Sequence, residues 1–156
     1  MTTLILTCLL TAAQINFPAS DNTDWKPYED YRCITDTASE QYQLLQSAVV
    51  RHDGLLEVDG YIAVALGEAW GEVGDKLVFT LNANGSEHEV KVIIADRKQR
   101  QHTRDGWHGH NGHTIEAVVD TYSLPEEARM KGSVDAIALM DGQIVKARKE
   151  IELEGL

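Results

Sequence analysis

A series of short apolar segments separated by turn residues constrains the fold of this chain more than any other feature. Residues 61–66 read YIAVAL and are almost wholly apolar, as expected for a strand that is buried on both faces. Residues 76–81 form a second segment, after which Asn84-Gly85 is the two-residue signal of a type I′ hairpin that returns the chain through residues 89–94. Short strands joined by regular turns predict a small barrel or sandwich.

The second half of the chain adds one short helix to further strands. Ser123 and Glu126 have the spacing of a capping box, which predicts a helix that runs to about Lys131 and ends at Gly132. Three more strands are predicted, at residues 114–119, 134–140 and 144–147. The sequence therefore predicts a mostly β domain with one short helix.

The N-terminal part of the chain differs in composition from the rest. Residues 1–14 combine an apolar run with small residues, which predicts a secretory signal peptide, with a short buried strand as the alternative interpretation. The apolar run is too short to span a bilayer, so any membrane contact is expected through this segment alone. Residues 15–37 hold prolines, Asp and Asn without apolar periodicity and predict a linker or extended arm, followed by the folded domain at residues 38–152.

The charge of the chain excludes one class of partner. The 156 residues include 25 acidic and 14 basic side chains, which gives a net charge of -11. Nucleic acid is bound through Lys and Arg that neutralise phosphates, so we expect no nucleic-acid partner. The sequence does not predict an oligomeric state.

Two carboxylates on neighbouring predicted strands form the main candidate site. Asp96 ends the strand that begins at Val90, and Glu116 lies in the strand at residues 114–119. A carboxylic acid can deliver a proton near neutral pH if burial or a nearby negative charge raises its pKa. Alternatively, both carboxylates bond backbone groups at strand ends and serve the fold alone.

The loop between these strands is rich in histidine, with His102, His108, His110 and His113. Clustered imidazoles bind transition metals, but flexible glycine-spaced loops lack the preorganisation of a dedicated site. We therefore predict no metal and no cofactor, and a solvated polar loop for His108 and His113.

These features resemble an exported double-psi β-barrel family of Gram-positive bacteria and their phages, related to three-aspartate (3D) domain and RlpA-like proteins. The resembling positions are residues 34–39, 41–44, 60–67, 74–75, 96, 102–103, 110, 112, 115–120 and 130–132. The resemblance implies a six-stranded double-psi β-barrel with one short helix. Glu116 takes the place of the aspartate in the Gly-x-x-Ile-Asp motif of related lytic enzymes, and Asp96 matches a second family aspartate. The third family aspartate has no counterpart in the run Ala63-Val64-Ala65-Leu66.

The resemblance also implies a role at the bacterial cell wall. We expect a peptidoglycan-binding and glycan-cleaving domain like a lytic transglycosylase, with Glu116 as general acid/base and Asp96 assisting it. His102 and His110 coincide with family positions and are expected to contact substrate or orient a carboxylate. Trp70 and Trp107 lie in loops next to Gly71 and Gly106 and are expected substrate contacts, since exposed aromatic faces stack on sugar rings; partly buried anchors for their loops are the alternative. A non-catalytic carbohydrate-binding domain and a structural or virion accessory barrel are the alternatives. The expected location is extracellular or cell wall-associated, or else a phage virion.

Overall fold

The computed structural model describes residues 10–152 of the chain. This part contains nine β-strands and two short α-helices, joined by loops and 3₁₀ turns. The strands are β1 (Leu10–Gln14), β2 (Tyr28–Asp30), β3 (Val49–Val50), β4 (Leu56–Val58), β5 (Tyr61–Gly67), β6 (Lys76–Ala83), β7 (Ser86–Lys98), β8 (Glu116–Val119) and β9 (Gln143–Glu152). The helices are α1 (Glu40–Leu45) and α2 (Glu126–Lys131). The mostly β prediction is confirmed, but the prediction of a single helix missed α1, which Ser39 caps by accepting a hydrogen bond from the Tyr42 N–H.

All nine strands of the described part belong to one mixed sheet. Its main path runs β1-β9-β6-β7-β5-β4-β3. The central strand β5 pairs in parallel with β7 and antiparallel with β8, and β8 pairs in parallel with β2. The strands β7 and β8, which the His-rich loop connects, therefore both lie against β5.

The predicted hairpin between β6 and β7 is confirmed. Asn84 and Gly85 have φ angles of 52° and 85°, the left-handed conformations that a type I′ turn requires. The Asn82 side chain accepts a hydrogen bond of 2.9 Å from the Gly85 N–H. The turn fixes the register of the two strands, from Ala83 opposite Ser86 onward.

The segment before β9 departs from the prediction. Two 3₁₀ turns, Val134–Ala136 and Ala138–Met140, replace the strand expected at residues 134–140. The Val134 N–H bonds the Lys26 carbonyl at 2.9 Å, so the arm satisfies this backbone in place of a neighbouring strand. Helix α2 ends at Gly132 as predicted, where φ is 69°.

The start of α2 also differs from the prediction. Pro125 occupies its N-cap position, and the Ser123 hydroxyl instead donates a hydrogen bond of 2.9 Å to Asp120. The expected capping box therefore does not form.

Strand β5 is buried along its whole length because apolar clusters lie on both of its faces. Ile62, Val64 and Leu66 belong to the larger cluster, which also contains Phe79 and Trp70. Ala63 belongs to the smaller cluster on the other face, against which Leu44 and Leu45 pack. The expectation that residues 61–66 form a strand buried on both faces is confirmed.

Part of the predicted arm is built into the domain. Within residues 15–37, β2 extends the sheet, and the fully buried Lys26 donates hydrogen bonds to the carbonyls of Asp24 (2.9 Å) and Gly142 (2.7 Å). Burial lowers the pKa of the Lys26 ammonium to about 8. These contacts join the arm to the start of β9.

The predicted signal segment falls largely outside the described residues. Residues 10–14 form β1, which pairs antiparallel with β9, and the prediction for residues 1–9 lies beyond the range that the structure describes. Among residues 10–152 there is no helix long and apolar enough to cross a membrane.

Candidate functional site

Ala65 on β5 brings the two predicted carboxylates onto one face of the sheet. It is paired directly with Asp96 on β7 and with Glu116 on β8. Side chains of directly paired residues stand on the same face, so both carboxylates flank the small Ala65 side chain. A register shift between Val64 and Ala65 places one extra residue, Ala95, in β7 just before Asp96.

Strand alternation adds two further charged residues to this face. Lys98 follows Asp96 by two positions, and side chains two positions apart on a strand share a face. Glu29 on β2 pairs with Val118, which follows Glu116 by two positions. Glu29 is not among the predicted site residues, because it lies in the predicted arm at residues 15–37 and nothing in that segment indicates pairing with β8.

The four side chains form a compact cluster around the Lys98 ammonium. The Nζ atom lies 3.2 Å from Glu116 Oε2, 3.4 Å from Glu29 Oε2 and 3.8 Å from Asp96 Oδ2. The exposed fractions of the three acidic side chains are 19%, 17% and 21%. We call Glu29, Asp96, Glu116 and Lys98 the carboxylate cluster. One ammonium cannot neutralise three carboxylates, so the cluster favours retention of a proton.

Within the cluster, burial favours the protonated form of Glu29. Burial raises the pKa of its carboxyl to about 7, and the negative charge of Asp96 adds to this effect against the opposing pull of Lys98. Glu29 Oε1 is also buried without a hydrogen-bond partner in the described structure. Although burial works to lower the pKa of Lys98, the surrounding carboxylates raise it, so Lys98 stays charged.

A groove of about 280 Å³ runs along the edge of the cluster. Its lining residues come from β5, the end of β7, the His-rich loop and the start of β8: Ala65, Leu66, Gly67, Lys98, His102, Thr103, Gly109, His110, Asn111, His113, Thr114 and Glu116. Three of the predicted site residues, Glu116, His102 and His110, therefore meet in one groove. Asp96 does not line the groove, but it contacts Lys98, which does.

Asp105 organises the His-rich loop. Its carboxylate accepts hydrogen bonds from the backbone N–H groups of Trp107 (2.8 Å) and His108 (2.7 Å) and contacts His108 Nδ1 at 2.9 Å. Although burial works to raise the pKa of Asp105, these bonds lower it to about 2. His108 is only 1% exposed, so the prediction of a solvated position for it is wrong. His113 is half-buried, and burial lowers its pKa.

Two glycines allow the loop to pack closely. A methyl group on Gly67 would collide with the Gly106 carbonyl, and one on Gly109 would collide with the His113 ring. Both Gly67 and Gly109 line the groove, so its shape depends on their lack of a side chain.

The predicted tryptophan contacts are not at the groove. Trp70 is 3% exposed and packs within 5.1 Å of the Phe17 and Phe79 rings and 5.0 Å from Trp107, measured between ring centroids. Its indole N–H donates a hydrogen bond of 2.8 Å to the Trp107 carbonyl. With its faces covered, Trp70 has no surface for a sugar ring, and Trp107 is half-buried in the same aromatic group. Both tryptophans hold the loop onto the core.

A different aromatic side chain lies beside the groove. The Trp25 ring meets the His113 ring edge-on, with centroids 5.3 Å apart.

Within residues 10–152, no group of three or more His, Cys, Asp or Glu side chains is placed to hold a metal ion. No protein-family model, no curated protein and no solved structure matches the chain.

Proposed function

We propose that this chain is a glycan-binding and glycan-cleaving domain that acts on peptidoglycan or a related polysaccharide outside the cell, as an exported protein or in a phage virion. The observation that supports this most is the position of Glu116, which lines an open groove while sharing Lys98 with two further carboxylates. A carboxylate of this kind can serve as an acid and base toward a bound polymer.

The proposed architecture is the six-stranded double-psi β-barrel of the family that the sequence resembles. The placement of β5 between β7 and β8 supports it, because a psi motif has one strand inserted between two strands that a loop connects. In this topology Asp96 and Glu116 lie on the two sides of Ala65 and share Lys98.

In the proposed reaction, Glu116 in its protonated form donates a proton to the glycosidic oxygen and the bond to the anomeric carbon breaks. A hydroxyl of the same sugar then bonds to that carbon and gives its proton back to Glu116, which leaves an anhydro product and restores the acid. Glu29 retains a proton up to near neutral pH, which leaves the cluster with one negative charge fewer. Lys98 Nζ lies within 3.4 Å of both Glu29 and Glu116, so the ammonium stays charged and pairs with the Glu116 carboxylate between the two proton transfers. Asp96 balances the Lys98 charge.

A second candidate function is glycan binding without cleavage. The ion pair between Lys98 and Glu116 favours it, because such a pair holds the two side chains in place and supports the wall of the groove. In that case the carboxylate cluster stabilises the sheet, and the groove binds the polymer without cleaving it.

Product analysis by mass spectrometry distinguishes the two functions. Purified peptidoglycan is incubated with the parent protein, Glu116→Gln and Glu87→Gln; Glu87 is exposed on the β6–β7 hairpin and serves as a matched control. Anhydro-muropeptides released by the parent and Glu87→Gln, but not by Glu116→Gln, are the expected result. Equal release by Glu116→Gln would remove Glu116 from the reaction. Binding to the insoluble polymer without release by any protein would establish the non-catalytic function.

A further inference from the structure

Positive charge is concentrated next to the groove in a chain that is otherwise acidic. Residues 97–113 contain four of the 14 Lys and Arg residues and four of the six His residues, but only one of the 25 acidic residues. Four cationic side chains against one carboxylate give this segment a formal charge of +3, whereas the whole chain carries -11. Such an excess attracts ligands of negative charge only through the cations that are not already paired with carboxylates from other parts of the chain.

Two of these cations have no side-chain partner among residues 10–152. Arg97 pairs with Glu72 at 3.5 Å, and Lys98 belongs to the carboxylate cluster. Arg100 and Arg104 are both exposed, and neither side chain forms an ion pair or a hydrogen bond with any residue in the range 10–152. Their guanidinium groups are therefore free to bind an external anion.

Both arginines lie beside residues that shape the groove. Arg104 Nη1 is 3.6 Å from the position that a Cβ of Gly112 would occupy, between the groove residues Asn111 and His113. Arg100 Nη1 is 3.7 Å from the corresponding position of Gly106, whose backbone packs against Gly67 in the groove wall. We call Arg100 and Arg104 the arginine rim.

Unsatisfied polar atoms inside the groove point to a ligand that supplies hydrogen bonds. Thr114 is 3% exposed and lines the groove, and its Oγ1 has no partner among the described residues. His113 Nδ1 is likewise buried and unpartnered. Buried polar atoms without partners are costly, so a ligand with hydroxyl or acidic oxygens at this end of the groove gains free energy.

We propose that the groove recognises an anionic glycan, a polysaccharide carrying carboxylate or phosphate groups, and that the arginine rim binds those groups. Guanidinium groups bind carboxylates and phosphates in a bidentate manner. The carboxylate of Glu116 repels a ligand anion, so the acidic substituent lies at the loop end of the groove and a neutral stretch of sugar lies beside Glu116. This inference specifies the substrate class of the function proposed above and rests on it for the nature of the polymer.

Binding measurements test the arginine rim independently of cleavage. The full-length parent protein is titrated at low salt with dextran as a neutral glucan, with polygalacturonate, and with a glycerol-phosphate teichoic acid. We expect the anionic polymers to bind and the neutral one to bind at least tenfold more weakly. The two anionic polymers distinguish carboxylate from phosphate as the preferred group. Binding should weaken as salt is raised, because exposed charge pairs are screened.

The test variant combines Arg100→Gln with Arg104→Gln. Arg129→Gln is the control, since Arg129 is exposed on α2 and also forms no ion pair within the described residues. The double variant should lose about tenfold in affinity for the preferred polymer, or about 1.4 kcal/mol, and the control less than twofold. Equal binding of neutral and anionic polymers, unaffected by the double variant, would overturn the inference while leaving glycan binding intact. Equally tight binding of single-stranded DNA would overturn it as well, because the rim would then attract any polyanion. Failure of both anionic polymers to bind would overturn the inference, and the incubation with purified peptidoglycan decides the proposed function separately.

Discussion

Replacing Glu29 by glutamine should change how the stability of the protein depends on pH. Glutamine keeps the size of the side chain but cannot ionise. Burial raises the pKa of the native Glu29 carboxyl from its ordinary value of 4.5 to about 7, so the folded protein retains a proton that the unfolded chain releases. The stabilisation from this proton is fully present below the ordinary pKa. It is lost as pH rises through the folded pKa.

The size of the effect follows from the two pKa values. Each pKa unit corresponds to about 1.36 kcal/mol, so the whole shift is worth about 3 kcal/mol, of which about 2.5 kcal/mol is lost between pH 5 and pH 8. Glu29→Gln removes this contribution. Between these two pH values, the free energy of unfolding of the parent should therefore fall by about 2.5 kcal/mol more than that of the variant.

Urea denaturation of the parent, Glu29→Gln and Glu87→Gln at pH 5 and pH 8 measures this difference. The exposed Glu87 carries no comparable burial, so Glu87→Gln should follow the pH dependence of the parent. If the parent and Glu29→Gln lose the same free energy between the two pH values, Glu29 is not the carboxyl that holds the proton of the cluster.

Three further substitutions test the surroundings of the groove. Lys98→Met leaves three carboxylates without their cation and should lower the melting temperature more at pH 8 than at pH 5. An equal fall at both pH values would show that Lys98 does not stabilise the ionised carboxylates of the cluster. Gly67→Ala places a methyl group against the Gly106 carbonyl and should cost about 1–3 kcal/mol in urea denaturation. An unchanged free energy of unfolding would show that the loop does not pack there. Trp70→Ala should cost about 3–5 kcal/mol by the same measurement, and a loss below about 1 kcal/mol would contradict its place in the core.

Local sequence patterns predicted the parts of the fold that depend on neighbouring residues. The Asn84-Gly85 turn, the buried strand β5 and the end of α2 at Gly132 each follow from the conformational preferences of a few adjacent side chains. The strand expected at residues 134–140 does not form, because the backbone there bonds the distant Lys26, a contact that no local pattern encodes.

The candidate site shows the same division between local and distant information. Asp96, Glu116, His102 and His110 were selected from one continuous region, and the structure brings them to one groove and its adjoining cluster. Glu29 comes from a segment 67 positions before Asp96 along the numbering, and only the pairing of β2 with β8 brings it there. For Trp70 and Trp107 the sequence allows both a sugar contact and a partly buried loop anchor, and the packing of their rings against each other agrees with the anchor.

The excess of Lys, Arg and His at residues 97–113 was readable from the sequence. The net charge of -11 conceals this local segment of opposite sign, which a count over a short window shows. The sequence does not show which of its cations are paired, because the partners of Arg97 and Lys98 include residues far away in the chain.

Histidine NMR during a glycan titration tests most directly whether the groove is the binding site. The chain contains six histidines, of which His102, His110 and His113 line the groove, whereas His52 is exposed elsewhere and His88 bonds the Leu139 carbonyl. Imidazole carbon–proton spectra are recorded while soluble peptidoglycan fragments are added. We expect shifts for the three groove histidines and none for His52 and His88. Saturable shifts confined to His52 or His88, with the groove histidines unchanged, would contradict binding in the groove.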